Sequence, residues 1–189
     1  MKKLLFFFSI IFFSSLQLKG LDKEYYPFNT TVTAGFVFKN DCRFKQVYGK
    51  GMINTITADF CYRAWQVWGF GAKLSYWRRK GCTSFLQQRA LAQQVPFTIY
   101  VRRIKTFDRG IQLYGSLGAG FIWTKEKSYL GCPTTTKGIG EIEAGINSPV
   151  WHHLNLTLAL RYLFPPQYYN GDKANVGGVD LRAGIGVSF

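Results

Sequence analysis

Apolar and polar residues alternate with a period of two along most of this chain. That pattern marks strands with one face in an apolar medium and the other in a polar one. Eight segments carry it. Thr31 to Phe38 places Val32, Ala34, Phe36 and Phe38 on one face. Thr55 to Arg63 sets Ile56, Ala58, Phe60 and Tyr62 against Thr57, Asp59, Cys61 and Arg63. Val67 to Trp77 sets Trp68, Phe70, Ala72, Leu74 and Tyr76 against Gly69, Gly71, Lys73 and Ser75. Gln94 to Arg102 turns Val95, Phe97, Ile99 and Val101 outward. Ile111 to Trp123 sets Ile111, Leu113, Leu117, Ala119, Phe121 and Trp123 against Gln112, Tyr114, Ser116, Gly118 and Gly120. Gly138 to Asn147 is the weakest, with Ile142, Ala144 and Ile146 opposite Glu141, Glu143 and Asn147. Leu154 to Phe164 sets four leucines and Tyr162 against Asn155, Thr157, Ala159 and Arg161. Val179 to Phe189 closes the chain.

Each segment is close to the ~9–11 residues with which a tilted strand crosses a bilayer. No charge falls on an apolar face except near an end. A lipid-facing Arg or Lys at mid-depth costs ~2–4 kcal/mol, so a membrane-spanning strand excludes it. Aromatic residues mark the ends of the apolar faces, as an interfacial girdle requires. The predicted connections alternate in length. Ala64–Gln66, Arg103–Gly110 and Ser148–His153 are short; Lys39–Asn54, Arg78–Gln93, Thr124–Lys137 and Pro165–Gly178 are longer. Three short turns and four long loops fit an antiparallel barrel with both termini on the periplasmic side. A secreted β-sandwich is the competing fold.

Composition supports the barrel. Hydrophobic residues make up 47% and aromatics 17%, yet the mean hydropathy is only -0.04. Helical membrane proteins are far more hydrophobic; a transmembrane barrel dilutes its apolar content by alternation. The one long apolar run, Leu4 to Phe13 behind Met1-Lys2-Lys3, reads as a signal peptide over residues 1–20. Residues 21–189 form the barrel domain, with Leu21 to Asn29 as a short lead-in. Removing Lys2, Lys3 and Lys19 leaves 21 basic against 10 acidic residues, a balance of +11. An exported chain with that balance points to lipid phosphates and anionic glycans rather than nucleic acid.

The chain resembles the small eight-stranded outer-membrane barrels of the OmpA, OmpX and OmpW class. The resemblance covers Thr31 to Phe189 as topology. Its sharpest local match is the end of the chain, where Ile185, Val187 and Phe189 look like the carboxyl-terminal signal read by the barrel-assembly machinery. The resemblance implies residence in the outer membrane, among phospholipid and lipopolysaccharide. It implies a structural or surface-interacting role.

Two sets of charges are candidate sites. The inward parity carries Asp59, Glu141, Glu143 and Asp180 with Arg63, Lys73, Arg161 and Arg182. Four acids against four bases form a self-neutralising plug in a lumen that eight strands leave nearly filled. The alternative is a proton path or narrow channel. The predicted surface loops carry ten basic residues against three acidic. Arg43, Lys45, Arg78, Arg79, Lys80, Lys125 and Lys127 are the candidates for contact with lipopolysaccharide phosphates or anionic host glycans. A solvated basic rim is the bland alternative.

Cys42, Cys82 and Cys132 fall in three predicted surface loops and Cys61 on the inward face. In an exported chain this allows a loop-to-loop disulfide with a spare thiol for linkage to a neighbour. The residues offer no metal-ligand spacing, no cofactor motif and no catalytic set. The nearest enzymatic precedent is a lipid A deacylase barrel. Here His152 and His153 sit in a short turn with Ser148 nearby, without an acid to orient either ring.

Overall fold

The computed structural model describes residues 26–39, 47–49, 51–65, 67–82, 89–127, 131–164 and 177–189, the side chain of Arg109 excepted. Eight antiparallel strands form a closed barrel in sequence order. They are β1 (Phe28–Phe38), β2 (Met52–Tyr62), β3 (Trp68–Cys82), β4 (Arg89–Thr106), β5 (Gln112–Lys127), β6 (Thr134–Pro149), β7 (Leu154–Phe164) and β8 (Gly178–Ser188). The last strand pairs with the first, Val32 opposite Ile185. Closure leaves no edge in the apolar zone, the only way a sheet satisfies its backbone without water.

Alternation sets the faces as the sequence leads one to expect. Ile56, Leu74, Ile99, Leu117, Leu160 and Ile185 are exposed on the outside. Lys73, Ser75, Thr98, Glu141, Arg161 and Asp180 are buried within. Along β4 the outward apolar band lies between Gln93 and Arg103. Ten residue steps at ~3.4 Å, tilted ~40°, give a height of about 26 Å. That is the thickness expected of a barrel's apolar belt.

β7 has its expected bounds, but β3 to β6 run well past theirs at the long-loop end. The sequence assigns Arg78–Gln93 and Thr124–Lys137 to loops. In the structure Arg78–Cys82, Arg89–Gln93, Thr124–Lys127 and Thr134–Lys137 are strand. The apolar signal stops where the belt stops; ladder hydrogen bonds continue into water with polar side chains. The result is a four-stranded wall standing above one side of the barrel.

The lumen is filled. Lys73 Nζ lies 2.7 Å from both Glu141 Oε1 and Glu143 Oε2. Arg161 reaches Asp180 Oδ2 at 2.6 Å and Glu141 Oε2 at 3.5 Å. Arg182 Nε lies 3.3 Å from Asp180 Oδ2, and its Nη2 donates to Glu143. Lys73, Glu141, Arg161, Asp180, Arg182 and Glu143 therefore close a ring of alternating charge. Arg102 joins it, 2.6 Å from Asp59 Oδ2 and 3.5 Å from Glu143 Oε1. The Tyr114 hydroxyl donates to Glu143 at 3.1 Å, and that of Tyr100 donates to Asp59. Tyr100 finds its room over Gly71, where an added Cβ would lie 2.4 Å from the phenol oxygen.

Four acids meet four bases, but one base differs from expectation. Arg63 lies beyond the end of β2, and its Nη2 donates to Thr106 Oγ1 at 3.1 Å. Arg102 takes the remaining place. The parity of β2 carries Arg63 inward only if the strand continues, and β2 ends at Tyr62.

Apolar layers bracket the ring. At the long-loop end Val37, Ile53, Trp77, Ala90 and Ala92 pack with Tyr48 from the first loop. Ile122, Ile139 and Leu163 form a second cluster there. At the short-turn end Ile104, Tyr114 and Ala159 pack together.

Glu143 touches Lys73, Arg102 and Arg182, so its loss uncovers buried positive charge. Glu143→Gln should destabilise the barrel by about 3–5 kcal/mol, read as a lowered urea midpoint in bilayers. Adding Lys73→Met restores neutrality and should recover much of the loss.

Candidate functional site

The wall has two faces, and strand parity assigns its side chains to them. Arg78 and Lys80 of β3 alternate outward, as do Arg89 of β4 and Lys125 and Lys127 of β5; all but Lys125, which is half-buried, are exposed. Register aligns them. Arg78 pairs with Gln93 and Gln93 with Lys125, while Lys80 pairs with Leu91 and Leu91 with Lys127. Strands ~4.8 Å apart and ~6.7 Å per residue pair put four cations near the corners of a rectangle of about 10 by 7 Å. Arg89 stands one row further out, opposite Cys82. Tyr76, Val95 and Trp123 lie directly below on the same face, and Gln93 Nε2 donates to the Tyr76 hydroxyl at 3.4 Å.

Acids are absent from this plate among the described residues. Glu126 has the opposite parity. Burial, with the charge of Glu126 adding to it, pushes the Tyr48 phenol up to about 12. Arg79 is also turned inward, its Nε donating to the Tyr48 carbonyl at 3.2 Å. The run Arg78-Arg79-Lys80 is thus not one cluster. Two of its members join the outward plate and one pins the first loop. Arg43 and Lys45 lie outside the described residues.

The outward charge is confined to one side. Among the described residues, every outward-facing charge on a strand lies on β3, β4 or β5. The outer faces of β1, β2, β6, β7 and β8 carry none. Reading the basic residues as loop residues missed this arrangement. Arg89 was missed with them, because Gln93-Gln94 breaks the alternation before it reaches Arg89.

The cysteines do not gather. Cys82 ends β3, Cys132 lies between β5 and β6, and Cys61 faces the lumen; all three are unpaired. β4 and β5 separate Cys82 from Cys132 by about 14 Å of sheet, twice the Cα separation a disulfide allows. A loop-to-loop bridge would need Cys42, which lies outside the described residues. His152 and His153 are exposed in the turn after β6, where His153 Nδ1 lies 3.0 Å from the Ser188 carbonyl. Ser148 is buried in β6.

The terminal strand is tied at its end. Phe28 and Phe189 exchange two backbone hydrogen bonds of 2.9 Å, and their rings stack at 5.8 Å. Ser188 Oγ accepts from Asn29 Nδ2 at 2.9 Å and from Asn155 Nδ2 at 2.6 Å. One hydroxyl thus joins β7, β8 and β1. Ile185 and Val187 face outward and Phe189 is exposed.

A scan of protein-family models and a search of curated proteins return no match. Solved structures do match. Neisserial surface protein A shares 13% identity, with 86% of this chain and 97% of that chain covered, at a TM-score of 0.65. Ail, the attachment invasion locus protein of Yersinia pestis, solved with the heparin analogue sucrose octasulfate, shares 16%, covering 86% and 99%, at 0.55. The N-terminal β-barrel domain of Pseudomonas aeruginosa OprF shares 11%, covering 88% and 100%, at 0.51. At these identities the likeness concerns the fold: this chain has the fold of the small eight-stranded outer-membrane β-barrels.

Proposed function

We propose that this chain is an exported outer-membrane protein whose β3–β5 face binds lipopolysaccharide phosphates at the surface rim. One observation carries the reading. Five cations, Arg78, Lys80, Arg89, Lys125 and Lys127, share an acid-free outward face directly above the apolar belt. A lipid seated against Val95, Phe97 and Phe121 brings its phosphate to that height. Guanidinium groups there can bind phosphate bidentately and ammonium groups can neutralise it.

The plate faces sideways into the leaflet, which favours a lipid-borne anion over a soluble one. Anionic host glycans are the second reading, favoured by the heparin analogue bound to Ail. Arg43 and Lys45 belong to that reading as loop cations. A narrow channel is disfavoured, because apolar layers on both sides of a neutral charge ring oppose hydration and ion passage. The remaining expectations stand as parts of the proposal. They are a cleaved leader over residues 1–20, barrel assembly guided by Ile185, Val187 and Phe189, and a structural rather than catalytic role.

Added lipopolysaccharide should raise the unfolding midpoint of the purified barrel. Replacing Arg78, Lys80, Lys125 and Lys127 together by Ala should abolish that rise, as should dephosphorylated lipopolysaccharide. Heparin binding at low salt, with no stabilisation by lipopolysaccharide, would favour the glycan reading instead. Planar bilayers should show no large conductance; a steady open level would sink the plug. Deleting Phe189 should lower insertion in cells, measured as heat-modifiable protein in membranes, more than it lowers the stability of barrels already assembled.

A further inference from the structure

The opposite rim of the same face carries a second group of cations. Arg103 and Lys105 alternate outward at the short-turn end of β4, both exposed. Arg103 pairs in register with Trp68 of β3, and its guanidinium lies 6.0 Å from that indole ring. Lys105 Nζ lies 5.1 Å from the Phe107 ring. Neither cation takes part in the ion pairs of the lumen. Arg63 approaches the same strand end through its hydrogen bond to Thr106.

We infer that Arg103 and Lys105, bracketed by Trp68 and Phe107, form a binding site for the phosphodiester of an inner-leaflet phospholipid. Three features carry this. The cations end the outward row Phe97, Ile99 and Val101, along which an acyl chain would lie. Trp68 marks the interface, where amphipathic indole rings settle at headgroup depth, and Phe107 stands beside Lys105. The two groups point the same way, two residues apart, at about 6.7 Å, a spacing one phosphate can bridge. The free phosphate ion offers the same charge but no use for the apolar row. The inference rests on the membrane placement proposed above and not on the lipopolysaccharide plate. β4 thereby holds an anion-binding group at each end of its apolar span.

The test uses the whole barrel, purified from membranes and placed in nanodiscs of phosphatidylethanolamine with a minority of phosphatidylglycerol photoactivatable at the headgroup. No lipopolysaccharide is present, and crosslinks at the two rims are scored separately, because the surface plate meets the same anionic lipid. At the short-turn rim, crosslinks mapped by mass spectrometry should concentrate on peptides holding Trp68 and Arg103. Arg103→Ala with Lys105→Ala should lower their yield severalfold, and Arg103→Lys with Lys105→Arg should keep it. Heat-dependent gel mobility verifies that each variant is folded. Crosslinks spread evenly around the barrel would overturn the inference, as would an unchanged yield in the alanine variant. Displacement by inorganic phosphate would also overturn it, because the site would then read the bare anion.

Discussion

Every backbone N–H and C=O in the apolar zone must find a partner without help from water, and each failure costs several kcal/mol. That demand closes β8 onto β1 and makes all else follow. A closed sheet of eight strands has a lumen too narrow to leave empty and too polar by alternation to fill with hydrocarbon alone. The outer face must be apolar for the length of the belt and is released from that duty above it. The wall of β3 to β6 is what the chain builds where the duty ends.

The lumen answers its own constraint with charge. Ions buried singly are prohibitive, but a closed ring leaves each carboxylate between cations and each cation between carboxylates. Glycine and tyrosine cooperate in this. Gly71 clears space for Tyr100, and Tyr100 and Tyr114 supply rings under the Arg102 guanidinium at 4.6 and 4.0 Å. Arg102 is thus held by charge at one end and by π faces along its plane.

Much of this was legible from alternation alone. The eight strands, their order and the orientation of residues such as Leu160, Lys73 and Glu143 follow from period two, because one step of register reverses a face. Strand ends are a different matter. The belt leaves an apolar signature; hydrogen bonding in water leaves none, so Arg78 and Lys125 read as loop residues. Arg63 left the lumen for the same reason, since parity assigns a face only while the strand lasts; Arg102 already had inward parity within the expected fourth strand and was legible there. Arg79 shows a further limit. Three adjacent cations look like a cluster in one dimension, and a strand deals them to opposite sides. Cysteine pairing was beyond reach, because separation across a sheet appears only once strand neighbours are known.

Among the described residues, the confinement of outward charge to three of eight strands gives the cylinder two unlike sides. A cylinder of uniform surface can present any side to a neighbour. This one is polar in the plane of the membrane: ionic on the arc of β3 to β5, hydrocarbon on the arc of β7, β8 and β1. The first arc offers cations with which anionic headgroups can pair. The second arc meets its surroundings through uncharged side chains, and it holds the seam where the barrel closes. The closing seam, fastened by the Ser188 clasp and the Phe28–Phe189 stack, thus lies on the side of the cylinder where no outward charge stands beside it.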